Sequence, residues 1–202
     1  MAQFSHIAGV PVLDLINTVE WRLSATEREE DLLTYIHVAQ WGLESGFLNE
    51  SEYAQADRLA RDDAGAAEAE RQRVIALREN AYLAIFRGDQ GAADDLATAY
   101  REAVQYASLT HGGARWSWQP TELTLATVRH RIAIALIEFM ARDDLDRLHQ
   151  CEDEACGWVY LDTSPRGNRR WCVTADCGDR NRSRAYYARQ KAKRSQSDPN
   201  TP

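Results

Sequence analysis

Apolar positions recur mostly at helical spacing over the first 148 residues of this chain. Over Pro11 to Arg22, Val12, Leu15, Ile16 and Val19 fall on one stripe. The acidic stretch Thr26 to Asp31 suits the start of a second helix, because carboxylates are favoured at helix N-termini. That helix carries Leu32, Ile36, Ala39 and Leu43 and stops at Gly46. Ser51 is placed to cap a third segment with Tyr53, Ala56, Leu59 and Ala60. The clearest amphipathic pattern runs from Arg71 to Arg87, with Val74, Leu77, Ala81, Tyr82 and Ile85 inward and Gly88 as its stop. Ala92 to Leu109 repeats it with Leu96, Tyr100, Ala103, Val104 and Ala107. After His111-Gly112-Gly113, Arg115 to Trp118 alternates and predicts one strand of a short hairpin, with Leu123 to Ala126 as its partner. Val128 to Leu148 predicts one long, largely buried helix.

The pattern changes after residue 148, where all four cysteines fall between 151 and 177. They form Cys151-x4-Cys156 and Cys172-x4-Cys177, with fifteen residues between the pairs. A stapled secreted protein spreads its cysteines through the fold, so two clustered pairs favour metal. Two thiolate pairs on two knuckles suit the tetrahedral preference of zinc. Trp158 to Leu161 predicts a strand, Ser164 to Asn168 a turn, and Arg169 to Cys172 the returning strand, which brings Cys156 beside Cys172. So short a module cannot hold a hairpin with a hydrophobic core alone. Zn2+ is therefore read as one structural ion on Cys151, Cys156, Cys172 and Cys177, with no open coordination position. An iron–sulfur cluster also takes four cysteines, but the hairpin and knuckles favour zinc. His149 is a substitute ligand by position, and is better read as capping the preceding helix end.

Charge divides the chain in the same place. Residues 1–165 hold 14 Arg and Lys against 28 Asp and Glu, whereas residues 166–194 hold ten against two. An acidic body with a basic end speaks to association rather than fold. After Cys177-Gly178 the sequence has no Pro or Gly up to Arg194 and predicts a helix. On a helical wheel Arg180, Arg184, Lys191 and Arg194 share a stripe with Tyr187, Arg182, Arg189 and Lys193 lie beside Tyr186, and Asn181, Ala185, Ala188 and Ala192 form a small-residue face. Clustered cations of this kind fit a phosphate backbone. The expected nucleic-acid contacts are Arg166, Arg169, Arg170, Arg180, Arg182, Arg184, Arg189 and Lys191. DNA is the first expectation, and RNA stacked on Tyr186 and Tyr187 is an alternative. A protein-interaction module seeking an acidic partner is a third reading. The bland one is that the basic end merely attracts the acidic body.

The motif from Cys156-Gly157-Trp158-Val159-Tyr160-Leu161-Asp162, through Arg169-Arg170-Trp171-Cys172, to Cys177-Gly178-Asp179-Arg180 closely resembles the CGNR-type zinc finger. Asp179 stands where that family's name-giving motif has Asn. Leu13-Asp14-Leu15-Ile16-Asn17-Thr18, Asp31-Leu32-Leu33, the Trp41 region and the long helix before Cys151 resemble the ABATE domain that commonly precedes this finger. The resemblance implies a stress-related transcription regulator whose finger binds DNA.

The expected fold is therefore mainly α. A helical domain with a short β-hairpin spans 1–148, and a zinc-ribbon-like hairpin with a basic C-terminal helix spans 149–194. The polar tail 195–202 is read as disordered. Asp14, Asn17 and Thr18, with Trp41, form a polar cluster in an apolar setting. They are candidates for a small-molecule effector pocket, although a buried network that orients helices explains them at least as well. The histidines are scattered, and neither a Gly-rich phosphate loop nor a nucleophile elbow is present, so an enzyme is not expected. No apolar run approaches the roughly 20 residues of a membrane span, and the N-terminus lacks a secretory pattern, so a cytoplasmic location is expected. Reading a palindromic site would require a homodimer.

Overall fold

A computed structural model describes residues 4–113 and 115–197. It is mainly α, with seven α-helices among the described residues: α1 (Pro11–Ile16), α2 (Tyr35–Glu44), α3 (Glu50–Asp62), α4 (Ala64–Arg87), α5 (Gln90–Gln105), α6 (Thr127–Met140) and α7 (Asp179–Ser197). Among the same residues six short strands form three separate antiparallel pairs: β1 (Val19–Glu20) with β2 (Glu29–Glu30), β3 (Ala107–Gly112) with β4 (Arg115–Pro120), and β5 (Leu148–Gln150) with β6 (Val159–Leu161). No helix among the described residues is long and apolar enough to cross a membrane.

Helix α4 is the spine, packed against α1, α2, α3, α5 and α6. The Asp63 side chain caps it by accepting from Ala66 N at 2.8 Å, and Gly88 ends it at φ 65°, where a side chain would be strained. Val74, Leu77 and Ala81 form its buried face, and Arg78 lies fully buried on the helix with them. That charge is tolerated because Glu30 grips it with two bonds of 2.7 Å, while Glu79 accepts from Nε at 2.8 Å. Arg129 repeats the device inside α6, donating to Glu70 at 2.5 Å and to both Glu102 oxygens at 3.0 Å.

Several elements depart from the periodicity. The first helix stops at Ile16, and Val19 is extended in β1. Residues 26–31 form a turn and β2 rather than a helix start, and α2 begins at Tyr35. The cap of α3 is Asn49, not Ser51: its side chain accepts from Glu52 N at 3.0 Å, and the Glu52 carboxylate accepts from Asn49 N at 2.9 Å. Helix α5 ends at Gln105, and residues 107–112 become the partner of β4 in place of Leu123 to Ala126. Tyr106 marks the switch, stacked on His130 of α6 at 5.4 Å. Helix α6 stops at Met140; a 3-10 turn (Leu145–Arg147) leads to Leu148, which is already strand. Strand β6 pairs with this incoming β5, not with Arg169 to Cys172. Helix α7 runs through 194 to Ser197, so the first part of the expected tail is helical, and 198–202 lie outside the described residues.

One hydrophobic cluster joins the helices to the cysteine module, running from Phe4 through Leu136 to Trp158, Val159, Tyr160 and all four cysteines. The module is docked along residues 17–23. Asn17 exchanges two hydrogen bonds with Val159, at 2.9 and 2.8 Å, and the Trp158 indole donates to Val19 O at 3.0 Å. Arg22 N and Leu23 N donate to Cys156 O and Ala155 O. Gly157, at φ 72°, sits so close that a Cβ would come within 2.8 Å of the Leu23 side chain.

Candidate metal centre and its supporting helix

The two knuckles bring Cys151, Cys156, Cys172 and Cys177 together, all buried, with every sulfur within 4.8 Å of the others. Cys156 Sγ lies 3.6 Å from Cys172 Sγ, which in turn lies 3.5 Å from Cys177 Sγ. The expected juxtaposition of Cys156 and Cys172 is therefore present, although a different strand pairing produces it. Cys151 starts from the end of β5, with its amide donating to Trp158 O at 2.7 Å. Glu152 N reaches across to Arg170 O at 3.1 Å and ties the two knuckles to each other.

Four thiols this close titrate against one another. Hydrogen bonds from Cys156 and Cys172 hold Cys151 low, while its acceptance pushes the Cys156 and Cys172 thiols up. Burial raises Cys177. A divalent cation removes that conflict by accepting four thiolates at once, and an all-sulfur tetrahedral set is the chemistry of structural zinc. His149 stands outside the cluster, in β5, with its ring 6.0 Å from Tyr160.

A residue that the sequence reading passed over organises the rest. Asp153, on the first knuckle and 1% exposed, accepts from Ala155 N, from Arg180 Nε at 3.1 Å, from Asn181 Nδ2 at 2.6 Å and from Arg184 Nη1 at 3.3 Å. Burial pushes its carboxyl up, but these donors outweigh that and hold it below the usual carboxylate range. Arg180 also donates to Cys177 Sγ at 3.0 Å and to Asp176 at 2.8 Å, and its guanidinium lies 4.4 Å above the Trp21 ring. Helix α7 is thus bolted by its first turn to a metal ligand and to both knuckles. Outer-shell contacts of this sort orient the ligands themselves.

A family model described as “putative stress-induced transcription regulator”, named ABATE, matches residues 9–143, and the CGNR zinc finger matches residues 147–190. The chain belongs to the ABATE family. The finger match and the four converging sulfurs identify its cofactor as one structural Zn2+. No curated protein matches this ABATE chain. At the position of the motif Asn, Asp179 is exposed and pairs with Arg182 as a first-turn acid, while Asn181 supplies the amide that bridges Asp153 and Cys177 O.

The eight expected nucleic-acid contacts divide in two. Arg169 is half-buried over the Tyr160 ring at 4.0 Å, donating to Trp171 O at 3.0 Å and Cys172 O at 2.5 Å, and Arg180 is committed as described. Both hold the module together. Arg166, Arg170, Arg182, Arg184, Arg189 and Lys191 are exposed, although Arg170 pairs with Glu152, Arg182 with Asp179 and Arg184 with Asp153. Beyond its first turn α7 projects into solvent, with Ala185, Ala188 and Ala192 as exposed as the charges and Tyr187 at 70%.

Of the candidate effector residues, Asp14, Asn17 and Thr18 lie at or beside the joint, and Trp41 lies in α2. Asp14 accepts from Ala8 N at 2.8 Å, Asn17 bridges to β6, and Thr18 Oγ1 donates to Leu15 O and accepts from Arg78 at 3.0 Å. Trp41 is fully buried, stacked on Phe47 at 5.4 Å, and its indole N–H finds no acceptor among the described residues. All four are buried, so none lines an open surface.

Proposed function

We propose that this protein is a cytoplasmic, zinc-dependent DNA-binding regulator, in which the ABATE body holds the finger and α7 grips the duplex. It is a binding protein rather than an enzyme. The observation that carries the reading is the contrast along α7. Its start is fixed by Asp153, which also receives Arg184, and by Cys177, whereas the later turns, bearing Arg189, Lys191, Lys193 and Arg194, are exposed. A rigidly based cationic helix presents its charges in fixed register to a regular phosphate backbone. Arg166 and Arg170 add charge from the finger loop, and Arg169 and Arg180 act as positioning residues. A homodimer would let two such helices read paired half-sites. Asn17 ties body to finger in this reading, while Asp14, Thr18 and Trp41 support the body from within.

RNA is the second reading, favoured by Tyr186 and Tyr187, which stand exposed in edge contact at 5.5 Å and offer stacking faces. Fluorescence anisotropy of zinc-loaded protein with duplex DNA and with single-stranded RNA, across a salt series, separates the two. The Arg189→Ala/Arg194→Ala variant should weaken duplex binding and lower the salt slope by about 2, one for each lost phosphate contact. Preference for single strands would move the assignment to RNA. No binding to either at low salt would leave a zinc-stapled protein-interaction module.

A further inference from the structure

The hairpin β3–β4 carries an aromatic face that the fold leaves partly uncovered. Its register puts Leu109 opposite Trp118 and His111 opposite Trp116, so these four share one face, while Ser108, Thr110, Ser117 and Gln119 share the other. Leu109 is 50% exposed and Trp116 66%, with the Trp116 ring resting on His111 at 5.0 Å. Trp118 is partly buried against the core. Beside this face lies a cavity of about 640 Å³, walled by β4, the α2–α3 corner and α6. That size falls within the range of small-molecule sites.

The walls are preformed. Phe47 is held by its stack on Trp41, and the corner is closed by the Asn49–Glu52 capping box. Arg131 is fully engaged, donating to Phe47 O at 2.5 Å and to both Glu52 oxygens at 2.8 and 2.7 Å. An adjoining cavity of about 260 Å³ shares Phe47, Ala135 and Glu138 with the first, and its own arginine, Arg142, is engaged by Asp144 at 2.7 and 2.6 Å. Glu138 therefore lines both cavities between two arginines that other carboxylates neutralise. It is exposed and has no ion pair among the described residues.

Two tryptophans in the lining, an apolar floor at Ile134 and a carboxylate with no ion pair among the described residues define a ligand chemistry. An aromatic ring stacks on tryptophan, a positive charge is attracted to the π face, and the carboxylate completes the pairing. Among the described residues lining the two cavities an anion finds no uncommitted cation, since Arg131 and Arg142 are both engaged. We infer that the groove between β4 and α6 is a binding site for a planar aromatic organic cation. The inference does not depend on nucleic-acid binding, because the groove and α7 carry opposite charge and share no lining residue.

Ethidium, titrated into zinc-loaded full-length protein free of nucleic acid, is the probe, with neutral phenanthridine as the uncharged ring of the same shape. Saturable one-to-one fluorescence enhancement is expected, with phenanthridine at least roughly tenfold weaker. Trp116→Ala should weaken ethidium roughly tenfold and Glu138→Gln severalfold, with melting temperature and far-UV circular dichroism unchanged, since both side chains are exposed. Absence of saturable binding up to millimolar ethidium overturns the site. So does indifference of the affinity to either substitution, or equal affinity for phenanthridine.

Discussion

Asn17 and Val159, 142 positions apart in the chain, exchange two hydrogen bonds through the Asn17 side-chain amide and the Val159 backbone. The bridge joins the end of α1 to β6, the strand that leads out of the first zinc knuckle. Asn17→Ala leaves a buried N–H and a buried C=O unpaired. It should cost about 2–4 kcal/mol in urea unfolding. Asn17→Asp keeps the acceptor for Val159 N but sets a second carboxylate oxygen against Val159 O, so it should cost at least as much. Equal stability of wild type and Asn17→Ala would show that the bridge contributes nothing net.

Removing zinc should loosen the body as well as the finger. The amides of Arg22 and Leu23 have their acceptors on Cys156 and Ala155, so their protection depends on an ordered knuckle. After chelation, hydrogen exchange at residues 17–23 should accelerate together with the finger, while the cores of α4 and α6 stay protected. Unchanged exchange at 22 and 23 would mean that the knuckle keeps its fold without metal.

Asp153→Ala tests whether α7 is aimed by the knuckle. Arg180, Asn181 and Arg184 lose their shared acceptor, although Arg180 keeps Asp176 and Cys177. The first turn of α7 should exchange at least about tenfold faster, equivalent to about 1–3 kcal/mol of lost charged hydrogen bonds. Zinc stoichiometry should remain one per chain. A helix that exchanges as in wild type would remove Asp153 from the account of how α7 is held.

The acidic neighbours of the finger give a pH signature. Burial, reinforced by Asp31, Asp176 and Glu29, pushes Glu20 up to about 7, and burial with Glu30 pushes Asp31 up to about 6. For both, the folded protein holds protons that the unfolded chain has released, so their contribution to stability falls as pH rises from about 4 to about 7. Zinc ligation runs the other way, because protonation of thiolates releases metal at low pH. The informative quantity is therefore the variant minus the wild type. Glu20→Gln should gain stability relative to wild type progressively between pH 5 and pH 8. A difference independent of pH would show that Glu20 titrates in its ordinary range.

Much of the helical body was legible, because it rests on local rules. The stripe Val74, Leu77 and Ala81 and the stop at Gly88 placed α4, and Gly46 bounded α2. Where two local rules competed, the pattern misled. Ala107 and Leu109 continue the helical spacing of α5, yet they serve equally well in a strand once Trp118 and Pro120 are opposite. Val19 and Leu148 were absorbed into helices for the same reason: an apolar residue beside a helix fits its period until a cross-strand partner claims it. The buried arginines Arg22, Arg78 and Arg129 gave no signal, because their burial depends on acids as distant in sequence as Glu79, Glu30 and Glu70.

By itself the sequence determined the zinc ligands, the mainly helical class and the basic character of α7, since cysteine chemistry, periodicity and charge are properties of residue types at short spacing. Only the tertiary structure decided that β6 pairs with β5, that Asp153 anchors α7, and that Asp14, Asn17 and Thr18 lie buried in the joint rather than at an open surface. Those outcomes depend on which polar groups find partners once both segments are dehydrated. Those partners range from Val159 opposite Gln150, through Arg180, 27 positions from Asp153, to Val159, 142 positions from Asn17, and no helical or alternating period chooses among them.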